Sequence, residues 1–187
     1  PWKDLVWLST TATPTFDHGT LVMLTPYPGT PTAPSTFSGW TGCDSVSGTV
    51  CTVTLNAARS VTVNFTLNDY TLSVSKSGLG SGNVTPSTGT LIWTGVTGTA
   101  AYPYNTQVIL TAAASAGSAF TGWSGEGCTG TGTCTVTVNQ YRSVTAAFSL
   151  NNYTVTATAG SNGAISPATP HVRNGSKATI GVRASAR

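Results

Sequence analysis

Charge is what this chain has least of. Charged residues fill 7% of its 187 positions, against about 25% in an ordinary globular protein. The eight Lys and Arg are scattered and leave a net charge of +3. A phosphate-tracking surface needs bases gathered on one face, so nucleic acid is not an expected partner. No apolar run reaches the length of a membrane span. The five acids, Asp4, Asp17, Asp44, Asp69 and Glu126, form neither a paired-carboxylate motif nor a calcium loop. His18 and His171 are the only histidines, without Cys or acid at a ligand spacing. The serines have no evident general base. Catalysis, a cofactor and a metal site are therefore not expected. Helical periodicity is missing too, and Ala112-Ala113-Ala114 is too short to stand as a helix. The chain begins at Pro1 with no signal-peptide pattern, and is expected to be a mature or excised piece of a secreted protein.

Hydroxyls take the place of charge. Ser and Thr together supply about 30% of the chain, with 21 Gly and 10 Pro. Disordered chains combine high net charge with few aromatic and β-branched residues. Here those residues recur at regular intervals, so a folded protein is expected.

The chain also repeats itself. Phe37-Ser38-Gly39-Trp40 returns 83 residues later as Phe120-Thr121-Gly122-Trp123. Cys51 to Asn56 returns as Cys134 to Asn139, and Arg59-Ser60-Val61-Thr62 as Arg142-Ser143-Val144-Thr145. Upstream, Leu5-Val6-Trp7 answers Leu91-Ile92-Trp93 at a spacing of 86. A third, partial copy opens at Tyr153, where Ile165-Ser166-Pro167 answers Val84-Thr85-Pro86. The reading is three domains: 1–69, lacking its first strand; 70–152, complete; and 153–187, a first half only.

Within each copy the apolar period is two. Val61, Val63, Phe65 and Leu67 alternate with polar residues, as do Val144, Ala146, Phe148 and Leu150. Such alternation predicts strands with one buried face. Tyr70/Leu72/Val74, Val22/Leu24, Val108/Leu110, Val53/Leu55 and Val136/Val138 predict further strands. A last strand is expected at Ala178, Ile180 and Val182. The short connectors 56–59 and 139–142 read as hairpin loops.

Cys43/Cys51 and Cys128/Cys134 occupy matching places in the two copies. Two local disulfides in an oxidising compartment are expected in preference to zinc, which would need four converging ligands. Closing so short a loop adds about 2.5 kcal/mol on the chain-entropy model. Trp40 and Trp123 read as core caps beside the disulfides rather than sugar platforms. Trp7 and Trp93 are candidate ligand-stacking residues, with a core role the alternative. Arg59 and Arg142 read as hairpin clamps that bond loop carbonyls, or as an anionic-sugar site.

Taken in order, these motifs resemble the divergent internalin-type B-repeat family of bacterial secreted and cell-surface proteins. The likeness is carried by Tyr70-Thr71-Leu72-Ser73-Val74, Phe120-Thr121-Gly122-Trp123, Cys134 to Val138 and Arg142 to Phe148. It implies an all-β chain of small β-grasp-like or sandwich-like modules in an extracellular protein, with no catalytic residues to carry over. The truncated third copy departs from the pattern, as does 87–105, which lacks a second Cys pair. The expected function is a structural stalk, spacer or fibre that associates with itself or with neighbouring repeats. In its sharper form, the segment containing Tyr153, Val155 and Ala157 is donated as a strand to the incomplete first module of another subunit. An arbitrary chain boundary explains the same mismatch of ends. Alternatives are a glycan- or matrix-binding adhesin and an accessory module of a secreted hydrolase.

Overall fold

The computed structural model describes residues 12–27, 34–154, 156, 158–161, 163–166, 171–173 and 181–184. Those residues hold strands and turns and no helix. The chain divides into two units, Pro1–Asn68 and Asp69–Arg187.

The second unit contains the complete repeat. Its strands are β6 (Asp69–Ser77), β7 (Gly82–Pro86), β8 (Ile92–Thr94), β9 (Thr97–Pro103), β10 (Thr106–Ala114), β11 (Ser118–Ser124), β12 (Cys134–Val138) and β13 (Arg142–Leu150). Five of them form one sheet in the order β11-β13-β6-β9-β8, and three form another, β12-β10-β7. One apolar core joins residues of both sheets. Leu72, Val74, Tyr102, Val144, Ala146 and Phe148 come from the larger, and Val84, Val108, Leu110, Val136 and Val138 from the smaller. The module is therefore a two-sheet sandwich, which settles the choice left by the sequence. Burial on β12 alternates residue by residue, as the period of two requires.

One pairing stands apart. β6 and β13 run parallel, with Arg142 opposite Leu72, Val144 opposite Val74 and Ala147 opposite Ser77. Every other ladder in the unit is antiparallel. This parallel seam joins the opening half of the repeat, β6 to β9, to its closing half, β10 to β13.

The first unit shows the closing half alone. β1 (Thr20–Leu24) pairs β4 (Val50–Leu55), with Thr20 opposite Leu55, as β10 pairs β12 with Thr106 opposite Val138. β2 (Ser35–Thr41) pairs β5 (Thr62–Leu67) as β11 pairs β13. Both of the latter ladders slip at the same glycine, between Phe37 and Gly39 and between Phe120 and Gly122. Each glycine has a strongly positive φ, 147° and 141°, a backbone that side chains with a Cβ rarely adopt. The bulge gathers the aromatics: Phe120 lies 5.1 Å from Trp123 and 5.3 Å from Phe148 between ring centroids. The first copy repeats the trio at 5.9 and 6.2 Å. A short strand, β3 (Ser45–Ser47), adds to β4 where the second copy has only the loop 128–134.

Two sequence expectations are corrected here. The connectors 56–59 and 139–142 are not hairpin loops. β4 and β5, and likewise β12 and β13, belong to different sheets; in the complete copy β12 and β13 bury their faces toward the shared core from opposite sides. The second correction concerns the apolar face expected at Val61, Val63, Phe65 and Leu67. In the second copy Val144, Ala146 and Phe148 are at most 2% exposed. In the first, every residue of β5 is exposed, with Phe65 at 37% and Leu67 at 46%. Phe16, the counterpart of buried Tyr102, is exposed too. The physical reason is topological. Among the described residues of this unit no β6-like strand covers that side, and residues 12–17, which answer β9, form no strand.

The third copy begins in the second unit with β14 (Asn152–Thr154), β15 (Gly163–Ser166), β16 (His171–Arg173) and β17 (Gly181–Ala184). β14 pairs β16 and β15 pairs β17, both antiparallel, as β6 pairs β9 and β7 pairs β10. The expected last strand appears at Val182; Ala178 and Ile180 lie outside the described residues.

Candidate functional site

Each disulfide sits inside one copy. Cys43–Cys51 spans eight residues and Cys128–Cys134 six, with Cα–Cα distances of 5.6 and 5.3 Å. Among the described residues there is no free cysteine. The repeated tryptophans anchor these loops. Trp40 Nε1 donates to the Thr49 carbonyl at 2.8 Å, and Trp123 Nε1 to the Gly132 carbonyl at 2.7 Å. Both acceptors lie between the bridged cysteines, so the indole ties the loop to the core edge. A pyranose platform needs a free ring face, whereas Trp123 is 5% exposed.

The repeated arginines find partners that the sequence concealed. Arg59 pairs with Asp44 at 2.8 Å and donates to the Gly42 carbonyl at 3.1 Å. Arg142 pairs with Glu126, donates to Asn139 Oδ1, and reaches the Thr137 carbonyl at 3.2 Å. Glu126 also accepts the Ser143 amide at 3.3 Å. Each clasp crosses from the disulfide loop to the connector between sheets. Each guanidinium bonds a backbone carbonyl, but beside a connector between sheets rather than closing the hairpin that the clamp reading assumed, and each is spent on an internal acid. Asp44 follows Cys43, whereas Glu126 stands two places before Cys128. The two acids fall out of register in the repeat, so aligning the copies does not pair them. Their shared position beside the first cysteine of each pair was the available signal. The Thr54 amide, donating to Asp44 at 2.7 Å, and then the Arg59 guanidinium hold the Asp44 carboxyl below its ordinary value.

Trp93 is half-buried and packs against the core. It stands opposite Gly98, and a Cβ there would lie 2.8 Å from the indole, so the ring needs that glycine. Lys76 Nζ lies 4.3 Å from its ring centroid, within cation–π range. Trp7 lies outside the described residues. Nearby, the Tyr102 hydroxyl donates to the Thr88 carbonyl at 2.9 Å, and burial raises its pKa above the usual phenol value.

Among the described residues, no group of three His, Cys, Asp or Glu converges as a metal site would require. An open cleft of about 340 Å³ lies beside β13, lined by Gly78, Leu79, Thr121 and Leu150. A smaller one, about 220 Å³, borders the Glu126–Arg142 pair, whose charges already neutralise one another.

Among the sheet edges of the described residues, those of β5 and β13 differ between the two copies. β5 is paired by β2 on one side; among the described residues nothing pairs its other side. In the complete copy that side of β13 carries β6. An unpaired strand edge presents a row of amide donors and carbonyl acceptors, a template for another strand. Of the three residues singled out as a donated strand, Tyr153 lies in β14 and is 57% exposed. Val155 and Ala157 lie outside the described residues.

Comparison with curated proteins and with solved structures returned no match. A family model described as a divergent InlB B-repeat domain matches twice, at residues 9–69 and 70–152. The chain belongs to the divergent InlB B-repeat domain family, of which it carries two tandem copies.

Proposed function

We propose that this chain is a non-catalytic structural element of the bacterial cell surface or extracellular space, a spacer or stalk built from tandem copies of one module. The observation that carries the reading is the tandem family match, with one local disulfide inside each matched repeat. Disulfides persist in oxidising compartments outside the cytosol. Each copy spends its best polar groups inward: the arginines on loop acids and carbonyls, the tryptophans on disulfide loops. A module whose functional groups are consumed by its own fold is suited to occupying length. In the finer form of this proposal, neighbouring subunits join head to tail by donating a strand across an open sheet edge.

The test is made on cells of the source bacterium. Antibody raised against the 70–152 repeat should label intact cells. Deleting one repeat from the parent protein should bring whatever it carries closer to the envelope, read by immunogold distance. Labelling only after lysis would overturn the reading.

A further inference from the structure

We infer that the outer edge of β12 is a docking site for an extended peptide of a partner protein, headed by an asparagine, which adds to the sheet as a further antiparallel strand. The inference goes beyond the spacer role and does not depend on it. Its template lies inside the chain, because the first copy fills the corresponding edge with its own disulfide loop. There β3 pairs antiparallel with β4, with Ser45 opposite Thr52 and Ser47 opposite Val50. Asp44 heads that strand. Its amide donates to the Thr52 carbonyl at 2.9 Å, and its carboxylate accepts the Thr54 amide at 2.7 Å.

The complete copy has the same edge without the filling. Thr135 and Thr137 answer Thr52 and Thr54. The Val138 carbonyl accepts the Asn105 amide, so Cys134, Val136 and Val138 turn their backbone groups to β10, and Thr135 and Thr137 turn theirs away. Of those outward groups, the Thr137 carbonyl takes Arg142 Nε and the Asn139 amide. The Thr135 amide and carbonyl and the Thr137 amide have no partner among the described residues. The cause is local to this repeat. Its cysteines are six residues apart instead of eight. The loop between them is also drawn to β11, where the Trp123 amide and Nε1 donate to the Gly130 and Gly132 carbonyls. Edges are ordinarily guarded by Lys, Pro or a bulge. β12 reads Cys-Thr-Val-Thr-Val and pairs β10 without a register shift, so it has none of these guards.

The head residue is specified by the cleft of about 220 Å³ along this edge, lined by Glu126, Thr135, Val136, Thr137 and Arg142. Thr54 and Arg59, the counterparts of Thr137 and Arg142, are the groups that hold Asp44 in the first copy. In the complete copy Glu126 supplies the charge for Arg142 and spends its other oxygen on the Ser143 amide, leaving the Thr137 amide unanswered. A second carboxylate there would face Glu126. An asparagine meets both needs, since its carboxamide oxygen accepts the Thr137 amide while its NH2 donates to Glu126. Main-chain bonds then hold the peptide and the cleft selects its head, as in other strand additions. The occupant is a partner because Asn64, Asn83 and Asn152, the asparagines within described strands of this chain, are already committed to ladders.

The test is an NMR titration of the full chain with acetyl-Asn-Ser-Val-Ser-amide, a peptide patterned on residues 44–47. Saturable shifts should centre on the Thr135 and Thr137 amides, and both should gain protection from exchange. The same peptide headed by Asp should bind about fivefold more weakly. Glu126→Gln should reverse that preference, because Arg142 is then free for a carboxylate. Thr137→Pro, which removes an outward amide and no bond to β10, should weaken binding about tenfold. No saturable shift, shifts centred on another edge, or a head-residue preference that Glu126→Gln leaves unchanged would each overturn the inference. Concentration-dependent shifts of the same two amides without peptide would give the edge to a second copy and overturn the choice of partner.

Discussion

Phe65 and Phe148 are the same residue of the repeat in two environments, and truncating each to alanine should separate them sharply. Phe148 is 2% exposed and closed in by Phe120 and the core. Phe→Ala at such a site costs about 3–5 kcal/mol, transfer and cavity together. A unit the size of the 70–152 repeat holds roughly 4–12 kcal/mol in total. Phe148→Ala should therefore consume much of its stability. Phe65 is 37% exposed on an uncovered face. No enclosed cavity follows its removal, so only part of the transfer term is lost, about 1–2 kcal/mol. The assay is hydrogen exchange by mass spectrometry on dilute protein, which reads β5 and β13 as separate peptides. Equal losses of protection, or a larger loss for Phe65→Ala, would refute the difference in burial between β5 and β13.

The other expectations concern the clasps and bridges. Arg142→Ala should cost about 1.5–3 kcal/mol, since it strands Glu126 and frees two bonded groups of the connector; Arg59→Ala, in the more exposed pair, should cost less than about 1 kcal/mol. Urea midpoints read unit by unit would check the order. The Asp44 carboxyl sits below its ordinary value of 3.8, so its contribution is complete above that pH and disappears as pH falls through the lower folded value. Protection of the Thr54 amide, taken relative to its intrinsic exchange rate at each pH, should therefore fall in acid, and Asp44→Asn should remove that fall. Reducing both disulfides should lower each repeat by about 2.5 kcal/mol, unfolding the uncovered first unit at a lower urea concentration than the second.

The alternation of Val144, Ala146 and Phe148, and of Leu72 and Val74, made the strands legible, because a period of two has one structural meaning. Repetition made the tandem copies legible, and the matched cysteines gave the bridges. Three things were not readable. Which strands share a sheet depends on pairing partners far apart in sequence, so the short connectors at 56–59 and 139–142 passed for hairpins. The acid partners of Arg59 and Arg142 occupy different offsets from their cysteines, so repeat alignment hid them. The exposure of β5 was invisible because the same apolar pattern serves a buried strand and one waiting for cover.

The complete copy is held together at its middle by a parallel seam between β6 and β13, and a parallel pair cannot be made by a hairpin. The two strands it joins are separated by most of the repeat, so the seam is the contact with the greatest loop-closure cost in the module. β7 and β10 also join the two halves, over a much shorter stretch of chain, so the β6–β13 ladder should form last in folding, and pulse-labelled hydrogen exchange that protects it before the β7–β10 ladder would refute that order.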